Sequence, residues 1–518
     1  MASVTKLSGL LGQYMDEIDG VWYKPMKKHD HDQLLATKPY KPGDMIYASY
    51  PYALSSLSQE PYPACAYCFK RTKLLRCSKC QKTKYCSREC QKKDWLNHKI
   101  VCCKTIDPIG MLCLKIVEML VANEEPCAPC DAVDSYRKEF DSNTFLELQE
   151  YTQRDPFGDN LDFFRQCITP EFLHLLPSTE TVSIAFRDSI LSRCDAPLRN
   201  RNYPPQLIAQ YNDIFEEQFC GRFDMRNEDR YILRLLQKLR VNCVPVRDEH
   251  LAIMGYGVYP TLSPLIHSCQ PNCAVTFAGI RANVIALRPI KKGEALTISL
   301  FPTCHNALVR DRWLMRLGCG VCHCPRCTWE TDSIRKEEIA MFSLKCTKQI
   351  KGISCNGECV PEMPFPGGFP LSYRCKKCNA TFSVMERFHT YPLADLDPAY
   401  DGFSCYFGKS VTESRFDVMK LKASINALSM HVADSNSELL SQRITLLRYY
   451  LFSENYQAAV ELGEFLLPVV VEKYGRGLEM MTFYWMMETM YEGVHKMSAA
   501  KEFGDRYREL ARFFQIPV

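Results

Sequence analysis

The sequence predicts an α+β protein whose strand-rich domain is split by a compact metal-binding insertion and by a helical one, before an all-α C-terminal region. Three observations carry this. Short β-type segments bounded by turn residues occupy 21–60 and return over 241–302. Between them stands a run of paired cysteines, followed by apolar residues at helical spacing from about 104 to 240. From about 410 to 518 the spacing is helical again.

The first strands are expected at Val21-Trp22-Tyr23, Leu34-Leu35-Ala36-Thr37 and Asp44-Met45-Ile46-Tyr47-Ala48, the last entered through the Lys41-Pro42-Gly43 turn. A proline-rich approach (Pro51, Pro61, Pro63) leads to the insertion. In residues 65–102 the potential ligands are Cys65, Cys68, Cys77, Cys80, Cys86, Cys90, His98 and Cys102. Seven thiols and one imidazole suffice for two closed four-ligand sites of the kind structural zinc prefers. Cys86 and Cys90 lie one helical turn apart, as do His98 and Cys102, so each pair faces one way.

Beyond the insertion, Leu112, Ile116, Met119 and Leu120 share one helix face, and Ile232, Leu235, Leu236 and Leu239 repeat the i, i+3, i+4, i+7 pattern. Strand-like pieces return at Val241 to Val246, Ala274 to Phe277, Asn283 to Leu287 and Ala295 to Leu300. Cys322, Cys324 and Cys327 then supply three thiols, one short of a closed zinc site. Cys269 is the expected fourth ligand, with Cys273 and Cys319 as competitors. A further zinc ribbon is expected among Cys346, Cys355, Cys359, Cys375 and Cys378, using the last four or with Cys346 replacing one. In the C-terminal region Leu447, Tyr450 and Leu451 stack on one face; Ala458, Ala459 and Gly463 permit close, tetratricopeptide-like helix pairing. Met480, Met481, Trp485, Met486, Met487 and Met490 form a soft stripe, read first as core.

At 518 residues the chain is too long for one core. Its composition, 46% hydrophobic and 24% charged, is that of a globular protein. Residues 1–20 lack the apolar stretch of an export signal, and no apolar run reaches the roughly 18 residues of a membrane helix. The 28 cysteines therefore point to metal in a reducing compartment, cytosol or nucleus. The net charge of +4 argues against general nucleic-acid affinity. Residues 65–102 differ, with eleven Lys or Arg against Glu89 and Asp94, a face suited to acidic peptide. Nucleic acid is the weaker reading, because aromatics for base stacking are few.

In order and spacing, residues 65–102 resemble the MYND zinc finger. The blocks Gly257-Val258-Tyr259-Pro260, His267-Ser268-Cys269-Gln270-Pro271-Asn272, Lys292-Gly293-Glu294-Ala295-Leu296-Thr297-Ile298-Ser299 and Cys322-His323-Cys324-Pro325-Arg326-Cys327 look like a SET domain with its post-SET zinc segment. Together they resemble the SMYD family of protein-lysine methyltransferases. The resemblance implies SET residues in 1–64 and 241–302, a finger at 65–102, a helical insert at 103–240 and a post-SET segment at 303–330. A cysteine-rich insertion at 331–400 and a helical domain at 401–518 would follow. It also implies a cross-braced finger, with Cys65, Cys68, Cys86 and Cys90 on one zinc and Cys77, Cys80, His98 and Cys102 on the other.

Family members transfer a methyl group from S-adenosylmethionine to a lysine amine. Asn242, Ser263 and His267 match positions that serve the cofactor site. Other positions depart from the family pattern: Ile266 stands for an asparagine, His31-Asp32-Gln33 for a Gly-x-Gly turn, Leu300 for a tyrosine, and Gly318 and Gly320 for aromatics. No residue is therefore assigned as catalytic. The resemblance implies a methyltransferase scaffold with weak or lost catalysis. Such a protein would act through protein or peptide partners of the finger and helical tail, as a transcription or chromatin-regulatory factor. The rival is an active S-adenosylmethionine-dependent lysine methyltransferase acting on a histone or other protein, with His31 or Asp32 binding the cofactor and Tyr259 orienting the amine.

Overall fold

A computed structural model describes residues 21–24, 33–57, 64–104, 106–122, 167–176, 225–226, 229, 232–233, 235–236, 239, 243–259, 261–262, 265–301, 305–307, 309–310, 322–362, 372–383 and 418–517. Alternating apolar residues and tight turns build the strand-rich part from both sides of the insertion. Strands β1 (Val21–Lys24) and β2 (Gln33–Ala36) form an antiparallel pair. β3 (Met45–Ser49) lies at the edge of a three-stranded sheet, and β4 (Ala53–Ser56) begins another. The finger contributes the short hairpin β5 (Leu75–Arg76) and β6 (Lys84–Tyr85), then helix α1 (Arg88–Val101). Ser87 caps α1, its hydroxyl accepting from the Cys90 amide at 3.1 Å.

Helices α2 (Pro108–Ala122) and α3 (Pro170–Leu173) follow, and Leu112 and Ile116 are fully buried as their spacing predicts. So are Ile232, Leu235, Leu236 and Leu239. The chain then returns through β7 (Cys243–Arg247), β8 (Ile253–Val258), β9 (Ile266–His267), β10 (Cys273–Ala278), β11 (Arg281–Ala286) and β12 (Thr297–Ile298). β8 sits between β4 and β7, while β11 sits between β10 and β3, so both halves of the split domain share their sheets. The strand expected from Ala295 to Leu300 shortens to β12, which pairs parallel with β9. Leu34, Tyr47, Val246, Val258, Tyr259 and Val284 fill the core between these sheets and α2.

Helix α4 (Asp332–Ala340) leads into β13 (Leu344–Lys345), β14 (Gln349–Ile350), β15 (Ile353–Ser354), β16 (Glu358–Pro361), β17 (Ser372–Cys375) and β18 (Thr381–Ser383). The antiparallel order is β13-β16-β17-β18, with β14 and β15 as a separate hairpin. Four sulfurs meet here, those of Cys346, Cys355, Cys375 and Cys378. The expected alternative with Cys359 is corrected, for the register sets Cys346 beside Gly357 while Cys359 pairs with Leu344 within the sheet.

The chain continues with helices α5 (Val418–His431), α6 (Ser437–Phe452), α7 (Tyr456–Tyr474), α8 (Leu478–Gly493) and α9 (Met497–Phe513). Met480, Met481, Met486, Met487 and Met490 are all fully buried, so the methionine stripe is core. Its edge touches the strand-rich domain, where Trp485 stacks on His250 with ring centroids 3.7 Å apart. No helix of the described residues is long and apolar enough to cross a membrane.

Candidate metal centres and the crossing of β9 and β12

The insertion brings its eight donors into two groups, Cys65, Cys68, Cys86, Cys90 and Cys77, Cys80, His98, Cys102, each with ligand atoms within 4.8 Å of one another. The hairpin carries Cys77 and Cys80 toward α1, and α1 presents Cys90, His98 and Cys102 from its two ends. Cys68 and Cys86 sulfurs stand 3.6 Å apart, and Cys80 Sγ lies 3.6 Å from His98 Nε2. A zinc–sulfur bond of about 2.3 Å sets tetrahedral edges near 3.8 Å, so these donor sets fit zinc. The Cys65 thiol is lowered to about 5, chiefly by its hydrogen bond with Cys68. The protons shared within the group would leave when an ion enters, making metal affinity fall in acid.

The finger is seated on the strand-rich domain by specific contacts. Phe69 is buried over Gly255, where a Cβ would lie 2.6 Å from its ring, so β8 requires glycine at that point. Arg71 pairs with the buried Asp248 and reaches Glu249 at 3.4 Å. Asp94 of α1 accepts from the Tyr85 hydroxyl at 2.7 Å and pairs with Lys115 of α2 at 3.6 Å.

Cys269 joins Cys322, Cys324 and Cys327 in a third group. Cys327 and Cys269 sulfurs are 3.5 Å apart, while Cys273 is buried in β10 with its thiol on Asn272 Oδ1. Cys319 lies outside the described residues. The Cys324 thiol is lowered to about 5, first by its hydrogen bond with Cys269. Behind this group the fully buried Arg310 donates to both oxygens of Glu338 at 2.9 and 3.1 Å. Arg326 also pairs with Glu338 and donates to the Cys269 carbonyl at 3.2 Å. Spacing gave no sign of this buried cluster, because its members are ordinary charged residues in separate segments.

The third metal group stands at the end of the β9–β12 crossing. Asn272 holds the crossing, accepting from the Thr297 amide at 2.7 Å and donating to the Ala295 carbonyl at 2.8 Å. His267 Nδ1 accepts from the Leu300 amide at 3.2 Å, which leaves the proton on Nε2, 3.3 Å from Cys269 Sγ. The imidazole thus orients a metal-binding thiolate from the outer shell. Tyr259 is fully buried, and its hydroxyl donates to the Ile280 carbonyl at 2.7 Å. Burial raises its pKa well above the ordinary tyrosine value. Tyr256 is partly buried, and burial pushes it up to about 12. Leu300 and Ile266 bring only alkyl groups to the crossing. Asn242, Ser263, His31, Asp32, Gly318 and Gly320 lie outside the described residues, as does the side chain of Gln33.

Residues 65–102 match the MYND finger family. The chain is similar to the N-lysine methyltransferase SMYD2 of Homo sapiens, 26% identical over 60% of this chain and 61% of that protein. It is similar to the Histone-lysine N-methyltransferase SMYD3 of Homo sapiens, 27% identical over 57% of this chain and 58% of that protein. The N-lysine methyltransferase SMYD2-B of Danio rerio is 24% identical over 83% of this chain and 79% of its own length. The matches to the two human proteins thus span about three-fifths of their length.

Proposed function

We propose that the chain is a SET–MYND protein of the SMYD family that engages protein partners through its zinc finger while keeping the methyltransferase fold as a scaffold of weak or lost catalysis. One observation carries the reading: the polar groups of Tyr259 and His267 are already engaged in holding the fold. The Tyr259 hydroxyl serves the Ile280 carbonyl, and both ring nitrogens of His267 serve Leu300 and Cys269. Leu300 and Ile266, at positions where the family resemblance implies a tyrosine and an asparagine, offer no hydrogen bond from their side chains. Tyr259, His267, Leu300 and Ile266 therefore do not fit the amine-orienting role. Zinc is different. The thiolates and His98 would hold it, and it would supply the finger with a fixed shape in place of a large apolar core.

The face offered to partners is basic, with Trp95 and Leu75 partly exposed among its lysines and arginines. That chemistry suits a short peptide with acidic and apolar residues. Such a role suits a transcription or chromatin-regulatory factor of the cytosol or nucleus.

A second reading is favoured by the relatives, which are named lysine methyltransferases, and by the retained crossing with its metal group. In that reading the protein uses S-adenosylmethionine to methylate a lysine on a histone or other protein. Calorimetric titration of zinc-replete protein with S-adenosylmethionine separates the two. No heat at millimolar cofactor, from protein that melts cooperatively, supports the scaffold. Micromolar binding, about −8 kcal/mol, that is lost in Asn242→Ala and accompanied by methyl transfer to protein overturns it.

A further inference from the structure

The described residues outside the finger and the crossing contain one more convergence of metal-binding side chains, in the β13–β18 region. Cys346 follows β13, Cys355 follows β15, Cys375 closes β17, and Cys378 lies in the turn before β18. Their sulfurs lie within 4.8 Å of one another. Cys346 and Cys378 are 3.6 Å apart, and Cys355 and Cys375 are 3.8 Å apart. A disulfide would need about 2.05 Å, whereas the edge of a tetrahedral zinc–thiolate centre is about 3.8 Å.

The backbone around the sulfurs is shaped for an ion. The amides of Lys377 and Cys378 both point at Cys375 Sγ, at 3.4 Å each. Such donors favour a thiolate over a thiol. Asn356 and Asn379, each just past a ligand, adopt φ of 49° and 56°, which turns the chain back at both knuckles. Gly357 sits against the centre: a Cβ there would lie 2.8 Å from Cys375 Sγ and 3.3 Å from Cys355 Sγ. Three of the four cysteines are buried, yet the apolar cluster around them is small, adding little beyond Tyr373 and parts of Leu344 and Phe382. A module with so little core needs another source of stability, and a metal supplies it.

We propose that Cys346, Cys355, Cys375 and Cys378 hold a structural zinc ion, separate from the finger and from the Cys269 group, and that Cys359 is not among its ligands. Tetrahedral tetrathiolate sites take zinc or iron, and zinc stands above ferrous iron in the general order of affinities. The ion fixes where the C-terminal helices begin. Lys345 donates to the Ser429 carbonyl at 2.5 Å, Ser435 donates to Glu358 at 3.3 Å, and Leu344 packs on Leu421, Ile425, Leu428 and Val432. All these contacts come from strands that the four thiolates tie together.

Elemental analysis of the purified full chain tests this by difference. Cys346→Ser is expected to hold one zinc fewer than wild type, while Cys359→Ser keeps the wild-type content. Equal zinc in Cys346→Ser and wild type overturns the proposal, as does loss of one zinc in Cys359→Ser or the presence of one iron per chain. Should Cys346→Ser fail to fold, cobalt-substituted wild type decides through its thiolate-to-metal absorption per chain. The proposal expects the intensity of three tetrathiolate centres and one Cys3His centre, and intensity one tetrathiolate centre short refutes it.

Discussion

Replacing Tyr259 by phenylalanine isolates the one hydroxyl on which two readings of this protein disagree. The ring would stay, edge-on to Phe277 at 5.9 Å, and no cavity would open. What disappears is the 2.7 Å bond to the Ile280 carbonyl, in a place with no exposure to water. A lost hydrogen bond that strands a buried acceptor costs about 1–3 kcal/mol. At about 2–4 °C per kcal/mol, Tyr259→Phe should melt roughly 2–12 °C below wild type. Scanning calorimetry of both proteins at equal zinc content measures this, and S-adenosylmethionine titration of the same samples should show no difference. A melting temperature within about half a degree of wild type would refute the structural assignment. If that result came with loss of methyl transfer, the hydroxyl would belong to the chemistry instead.

Three further outcomes follow from the contacts between parts. Burial lowers His250 to about 4, so between pH 6.5 and 4 the unfolded chain takes up a proton that the folded chain refuses. Stability therefore falls as pH drops through that window; relative to His250→Phe, wild type should lose on the order of 3 kcal/mol between pH 7 and 4, measured by denaturant titration at each pH. A difference that does not move with pH would exclude His250 as the cause. Arg71→Ala strips the partner from buried Asp248 and should speed hydrogen exchange at the amides of His250 and Ala252, which bond to that carboxylate. Glu338→Gln leaves Arg310, with no exposure, facing an uncharged amide; a loss of about 3 kcal/mol is expected, together with faster zinc release by chelator. Unchanged melting in that variant would mean that the neighbouring thiolates suffice for both guanidiniums.

The metal chemistry was legible because ligand type and spacing are set by the ion rather than by the fold. Cys269 could be chosen as partner for Cys322, Cys324 and Cys327 although it lies more than fifty residues away, since three thiols alone leave a zinc site open. The choice between Cys346 and Cys359 was not legible. It is decided by the register of β13 against β16, which sets Leu344 opposite Cys359 and leaves Cys346 beside Gly357. Strand β8 escaped the sequence reading for a related reason. Its glycines at 255 and 257 argue against a strand locally, yet each is required by a close contact, the Ser55 carbonyl and Phe69 ring at the first and the ring of Tyr259, two residues on, at the second. The helical tail, by contrast, was readable from periodicity because its contacts repeat along one chain direction.

Under the proposed scaffold role, the same division separates groups that hold the fold from groups that would serve methyl transfer. Asn272 holds the crossing together, while Tyr259 ties the turn between β10 and β11 and the buried Arg310–Glu338 pair backs the Cys269 group, and each would cost kilocalories to change. Leu300 gives its amide to His267 and packs its side chain against the Cys269–Phe301 cluster, while Ile266 lies in register with Thr297. A polar side chain of similar size at either position would keep those main-chain bonds. Selection for folding would preserve the first set whatever the protein does, whereas only selection for transfer would preserve the second. In this chain the side chains at 266 and 300 are alkyl. That pattern, rather than any single substitution, is why cofactor binding and thermal stability are worth measuring on the same sample.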